Sequence, residues 1–153
     1  MKMIEITTLE QLEDYREAWN GILEQNGNTN PFIEFDWLYA WWSHLGSKDT
    51  VIITAVEEKG KTIAFFPFTY EKKWPVHIIR FTAFGQANYM DIIAEKKDLE
   101  RTLSFVLDGI TARRKNVVFY LHGLLESGGS SEALEQYVKQ RKYIQQIMKH
   151  MFQ

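Results

Sequence analysis

Along the first fifty positions, apolar residues recur at intervals of three and four: Leu12, Tyr15, Trp19, Ile22 and Leu23 in one run, Leu38, Trp41, Trp42 and Leu45 in the next. Each set falls on one face of an amphipathic helix. The first helix is expected to follow a short strand over Met3 to Thr7, with Thr8 and Gln11 as a capping box. Glu10, Glu13, Asp14 and Glu17 load its early turns with the negative charge that a helix N-terminus favours. The polar run from Asn26 to Asn30 ends it, and the second, tryptophan-rich helix spans Phe35 to Leu45.

From Val51 the period shortens. Val51 to Glu57 and Lys61 to Tyr70 predict a hairpin that turns at Glu58-Lys59-Gly60, and Pro67 predicts a bulge or an edge because it has no N–H to give a ladder. Two more strand-like runs, 76–84 and 88–94, lie on either side of Gly85. Asp98 is the expected N-cap of a helix that buries Leu99, Leu103, Val106, Leu107 and Ile110. Asn116 to Leu121 is almost continuously apolar, the pattern of a strand inside a sheet. A loop at Glu126 to Ser130 then reads as a hinge, and a fourth helix carries Leu134, Tyr137 and Val138. Beyond Arg141 the apolar period restarts at Ile144, Ile147, Met148 and Met151.

Composition narrows the picture. At 153 residues with 45% hydrophobic and 14% aromatic content, the chain has the size and apolar share of a single globular α/β domain. A net charge of -2, with lysine and arginine scattered along the sequence, argues against nucleic acid as a partner. The absence of cysteine removes thiol nucleophiles, disulfides and Cys-type zinc sites, and no His-x-x-x-His supplies another metal site. No run approaches the roughly 18 apolar residues of a membrane span, and the N-terminus has no secretory h-region, so the expected setting is cytoplasmic, without a membrane partner.

Several residues suggest chemistry. Tyr89 and Asp91 stand two apart, so on a strand they share a face, and a carboxylate beside a phenol can orient or deprotonate an amine or hydroxyl. The plainer alternative for Asp91 is a strand-end hydrogen bond that holds the loop at Gly85. His122 follows an apolar strand, where a side chain is delivered to a cleft; the alternative is an imidazole bonded to a carbonyl. Trp37 lies off the buried stripe of its helix and is a candidate wall for a sugar or an acyl group. His44, in the last turn of that helix, suits the helix dipole.

The order of elements resembles that of the GNAT acyltransferase fold up to its fourth helix. Asn30 to Trp42, Ile63 to Phe68 and Phe84 to Ile93 together resemble the N-terminal half of CelD-like acetyltransferases, a GNAT branch associated with cellulose and exopolysaccharide synthesis. Asn88-Tyr89-Met90-Asp91 departs from the Asp-Tyr-x-Asp of that branch at its first position. The resemblance implies an α+β domain over 1–153, with a mixed, mainly antiparallel sheet, helices on both faces, and truncation after the fourth helix.

It also implies acetyl-CoA as the cofactor, held where a glycine-containing loop and a helix N-terminus meet the pyrophosphate. Here the corresponding stretch, Asp91 to Asp98, has no glycine; Lys96 and Lys97 remain to attract phosphate. The expectation is therefore a GNAT-like half domain that binds no cofactor tightly and pairs with a second copy or a second GNAT-like chain. Two alternatives stand beside it. One is a non-catalytic recognition or interaction module, or the remnant of a longer two-domain protein. The other is an acyltransferase site assembled across a homodimer from Asp91, Tyr89 and His122.

Overall fold

The computed structural model describes residues 1–142; the apolar repeat expected from Ile144 onward lies outside the described residues. Strand β1 (Lys2–Ile6) leads into helices α1 (Leu9–Glu13) and α2 (Arg16–Gln25). The Thr8 hydroxyl accepts from Gln11 N, and Gln11 Oε1 accepts in return from Thr7 N at 2.9 Å, a capping box shifted by one residue. The single helix expected here is broken at Asp14 and Tyr15, where Tyr15 N bonds back to Leu12 O. That break lets the Tyr15 ring meet Phe65 edge-on at 5.8 Å, a tertiary contact that overrides the helical period.

Helix α3 (Phe35–His44) precedes the hairpin of β2 (Thr50–Glu58) and β3 (Lys61–Lys73). Its two-residue turn has positive φ at both Lys59 and Gly60, the geometry that matches strand twist. Strand β4 (Val76–Phe81) runs back along β3 from Lys73 to Phe68. The second strand expected around Gly85 is reduced to β5 (Ile93–Ala94), which pairs with Phe65 and Ala64 farther along β3. Pro67 therefore lies neither at a sheet edge nor at the bulge, which falls at Val56/Glu57. It pairs with Ile53 on one side and lies on the other opposite the gap between β4 and β5, where its missing N–H costs no ladder bond.

Helix α4 (Lys96–Arg113), strand β6 (Val117–Tyr120) and helix α5 (Ser130–Arg141) complete the chain. The six-stranded sheet has the order β1-β2-β3-β4-β6, with β5 beside β3, and every pairing is antiparallel except β4 with β6. Although its apolar sequence reads as an interior strand, β6 is an edge among the described residues, as a sheet truncated after it leaves it: Val118 is 48% and Tyr120 40% exposed. The expected hinge before α5 is a 3-10 turn over Glu126–Gly128.

Both sheet faces are covered, which is why Ile63 to Phe68 are buried without alternation. Register separates the faces. Ile4, Ala55 and Phe65 form one cross-strand row, and Phe65 meets Trp19 of α2 at 4.8 Å. Met3, Val56 and Ala64 form the opposite row, and Met3 is so close to Gly109 of α4 that a Cβ there would lie 2.6 Å from its sulfur. Trp19 is fully buried and donates to Ile33 O at 2.9 Å, so the largest core side chain also satisfies its one polar atom.

Candidate functional site

Strands β4 and β6 run parallel, and their register sets Arg80 beside Tyr120. Two residues on, the same offset brings Thr82 beside His122, where the ladder has ended and the chain between β4 and β5 loops out. Phe84, on that loop, is half exposed and meets His122 edge-on at 4.8 Å and Tyr120 at 5.7 Å. The Arg80 guanidinium lies 5.4 Å from the Phe84 ring and 5.9 Å from that of Tyr120, and pairs with Glu71 at 2.6 Å.

His122 thus stands in a cage of Phe81, Phe84 and Tyr120. Both ring nitrogens are buried without a hydrogen-bond partner, and the Tyr120 backbone, though close, falls outside hydrogen-bond geometry. Burial pulls the imidazole below its usual pKa of 6.5; the nearby Tyr120 backbone opposes the shift and Arg80 adds to it. The ring is therefore neutral at pH 7, with one N–H and one lone pair unused. The hydroxyl of Thr82 and Arg80 Nε are likewise buried without partners. Arg80 and Phe84 also line a cavity of about 420 Å³ with Lys48, Asp49, Thr69 and Glu71, so its wall carries both signs of charge and one aromatic face.

Tyr89 and Asp91 do not share a strand face as expected, because residues 85–92 form no strand. Tyr89 is 40% exposed and its carbonyl accepts from Asn30 Nδ2 at 3.4 Å. Asp91 turns inward: Oδ1 accepts from Ile92 N at 2.8 Å, and the side chain of Ser130, the first residue of α5, bonds to the same carboxyl. Burial raises the Asp91 pKa above 3.8, and those two hydrogen bonds oppose the shift in part. Its partner is the start of α5, not the loop at Gly85. A Cβ on Gly128 would stand 3.0 Å from Asp91 Oδ2.

The seam between the loop and the segment after β6 is closed by backbone. Met90 N donates to Gly123 O at 3.2 Å. Gly123 has φ +73°, and a Cβ there would fall 2.9 Å from Asn88 O and 3.1 Å from Met90 N. Only glycine allows this approach.

The first turn of α4 is closed in a different way. A single residue, Glu95, separates β5 from the helix and is its N-cap, and Asp98 is an interior residue instead of the expected cap. Lys97 is folded onto Glu95 at 2.9 Å. Asp98 is 5% exposed and binds Arg101 at 2.5 Å, which in turn grips both Glu58 oxygens at 2.8 Å. The first turn thus carries two carboxylates, Glu95 and Asp98, and two lysines, of which Lys97 is committed to Glu95, with no glycine; Glu58 is held by Arg101 one turn on.

The remaining candidates lie apart from this region. Trp37 is half-buried, with its ring edge-on to Phe32 at 5.2 Å, and His44 is exposed in the last turn of α3. Among the described residues no group of three or more His, Asp and Glu could hold a metal ion. Sequence reasoning passed over Arg80, Phe84 and Tyr120. Phe84 and Tyr120 look like ordinary strand hydrophobics, and only register reveals that they meet.

The sequence matches no protein-family profile and no curated protein. The structure does match solved acetyltransferases. A ribosomal-protein-alanine N-acetyltransferase from Brucella melitensis aligns over 100% of this chain and 99% of its own, with TM-score 0.57 and 9% identity. The aminoglycoside acetyltransferase AAC(6')-Iy, solved with a CoA-containing bisubstrate analogue, aligns over 100% and 98%, with TM-score 0.55 and 10% identity. A possible acetyltransferase from Clostridium difficile aligns over 99% and 96%, with TM-score 0.54 and 14% identity. The mixed, mostly antiparallel sheet with its helices has the GNAT acetyltransferase fold.

Proposed function

We propose that this domain, akin to the CelD-like acetyltransferases, has an incomplete acyl-CoA site and serves as a recognition module for a small polar acceptor. The observation that carries the reading is the first turn of α4. A diphosphate placed there would meet Glu95 and the buried Asp98, and like charges brought together in a poorly solvated turn repel strongly. Arg101, the strongest cation nearby, is already engaged by Asp98 and Glu58. Neither Lys96 nor Lys97 has a glycine-backed cradle beside it.

The open depression beside Arg80 is where such an acceptor would sit. Acids, bases, Thr69 and the Phe84 face suit a hydroxyl- or amine-bearing ligand that stacks one apolar side and hydrogen-bonds along its edge. Calorimetric titration of the full chain with acetyl-CoA tests the reading. Heats indistinguishable from dilution are expected, and a micromolar dissociation constant contradicts it.

A second reading has its own observation, the unused nitrogens of His122. The ring lies two residues past β6, an edge strand among the described residues, so a second copy that paired along β6 and displaced Phe84 would bring its own groups beside it. In such a homodimer His122 takes the proton of an acceptor amine or hydroxyl as that group attacks a thioester held by the partner copy, and CoA leaves as the thiol. Sedimentation equilibrium, together with acetyl transfer lost in His122→Ala, is the expected result. A monomer at high concentration counts against it.

A further inference from the structure

The cations described as scattered along the sequence are not scattered in space. At the β3–β4 turn, Lys72 and Lys73 precede Trp74, which is 86% exposed, the most exposed of the chain's large hydrophobic side chains in the described residues. The turn joining α4 to β6 carries Arg113, Arg114 and Lys115. These two turns lie side by side. Asn116 Nδ2 donates to Pro75 O at 3.2 Å, His77 N donates to Asn116 O at 3.0 Å, and Arg114 lies over the Tyr70 ring at 4.8 Å.

Lys72, Lys73, Arg114 and Lys115 therefore share the end of the sheet that carries the projecting indole, whereas Arg113 reaches back to Glu5 of β1. The acids close by are already matched: Glu71 pairs with Lys73 and Arg80, and Glu5 with Arg113. Asp49, across the cavity from Lys72, has Lys48 beside it. Lys72 and Lys115 are exposed, so their charge faces outward.

A tryptophan almost wholly in water, at the outermost point of a basic turn, contributes nothing to the core. Indole has its lowest free energy at the boundary between headgroups and acyl chains, and lysine and arginine near it are attracted by anionic lipid. In place of the setting without a membrane partner expected from the sequence, we propose that this end of the sheet docks on an anionic membrane surface, with Trp74 at headgroup depth and Lys72, Lys73, Arg114 and Lys115 toward acidic headgroups. A flat anionic surface fits better than a long polyanion: the patch is confined to two adjacent turns, while the net charge of -2 repels an extended anion. Among the described residues no helix is long and apolar enough to cross a membrane, so the contact is peripheral.

The test is co-sedimentation of the full chain with phosphatidylcholine vesicles, with and without phosphatidylglycerol, while indole quenching by brominated lipid is followed. Binding only to the phosphatidylglycerol vesicles, weakening with salt, is expected. Trp74→Phe should abolish most of the quenching, because Trp19, Trp41 and Trp42 are buried and Trp37 is half-buried on α3 against Phe32. Lys72→Ala with Lys73→Ala should lower partitioning on the order of twentyfold. Equal binding to neutral and acidic vesicles, or none to either, overturns the proposal. So does duplex DNA in solution binding as tightly as vesicles, with Trp74→Phe unchanged. Circular dichroism should show the variants folded, since the altered side chains are exposed; if one unfolds, quenching in the unaltered chain decides.

Discussion

Asp91 and His122 are both shifted away from the charged state, and in each case burial is the first cause. The signs differ in their effect on stability. A raised Asp91 pKa means that the folded state holds the proton more tightly, so this residue favours folding at low pH and loses that contribution as pH rises above 3.8 through its folded value. Asp91→Asn should therefore gain stability relative to the unaltered chain as pH rises from 4 to 7, measured by urea unfolding; a difference independent of pH would show the carboxyl to be unperturbed. For His122 the folded state resists protonation, so stability is retained above 6.5 and lost as pH falls below it. The His122 ring should titrate by NMR with a midpoint below 6.5. Sequence reasoning picked out Asp91, Tyr89 and His122 by residue type and strand position. It could not supply their surroundings, because Ser130 lies 39 positions after Asp91 and Phe84 lies 38 before His122, and no local period links them.

At the scale of elements, the helices and the β2–β3 hairpin were legible because their apolar periods agree with their caps and turns: Thr8 caps α1, Gly60 turns the hairpin and α4 buries the expected stripe. The misreadings share a cause. The first helix breaks so that Tyr15 can reach Phe65, β5 shrinks because the loop before it folds onto Gly123, and β6 has a core-like sequence at an edge. Each is a tertiary choice that outweighs a local pattern. Gly123 is the most sensitive point of that folding. Gly123→Ala must place a methyl 2.9 Å from Asn88 O at φ +73°, so a loss of about 1–3 kcal/mol is expected in urea denaturation. A stability unchanged within error would show that the 88–90 strap is not held by backbone. By contrast Thr8→Ala removes only one capping acceptor from an exposed helix start and should cost about 1 kcal/mol.

Across the whole molecule, the proposed loss of an acyl-CoA seat rests on one place. The sheet order, the parallel β4–β6 pair and the helices on both faces reproduce an acetyltransferase architecture, yet the helix that follows β5 opens on Glu95 and a buried Asp98 clamped by Arg101. The missing glycines were visible in the sequence; the Glu58–Arg101–Asp98 clamp was not, because Glu58 lies on a hairpin 43 positions before Arg101. The acids at that turn, more than the lack of glycine alone, set the expectation that acyl-CoA has no seat there. A crystal of the full chain soaked in acetyl-CoA tests this most directly. The account predicts that no diphosphate density appears at residues 95–98, and a CoA pyrophosphate bound to the first amides of α4 would contradict it.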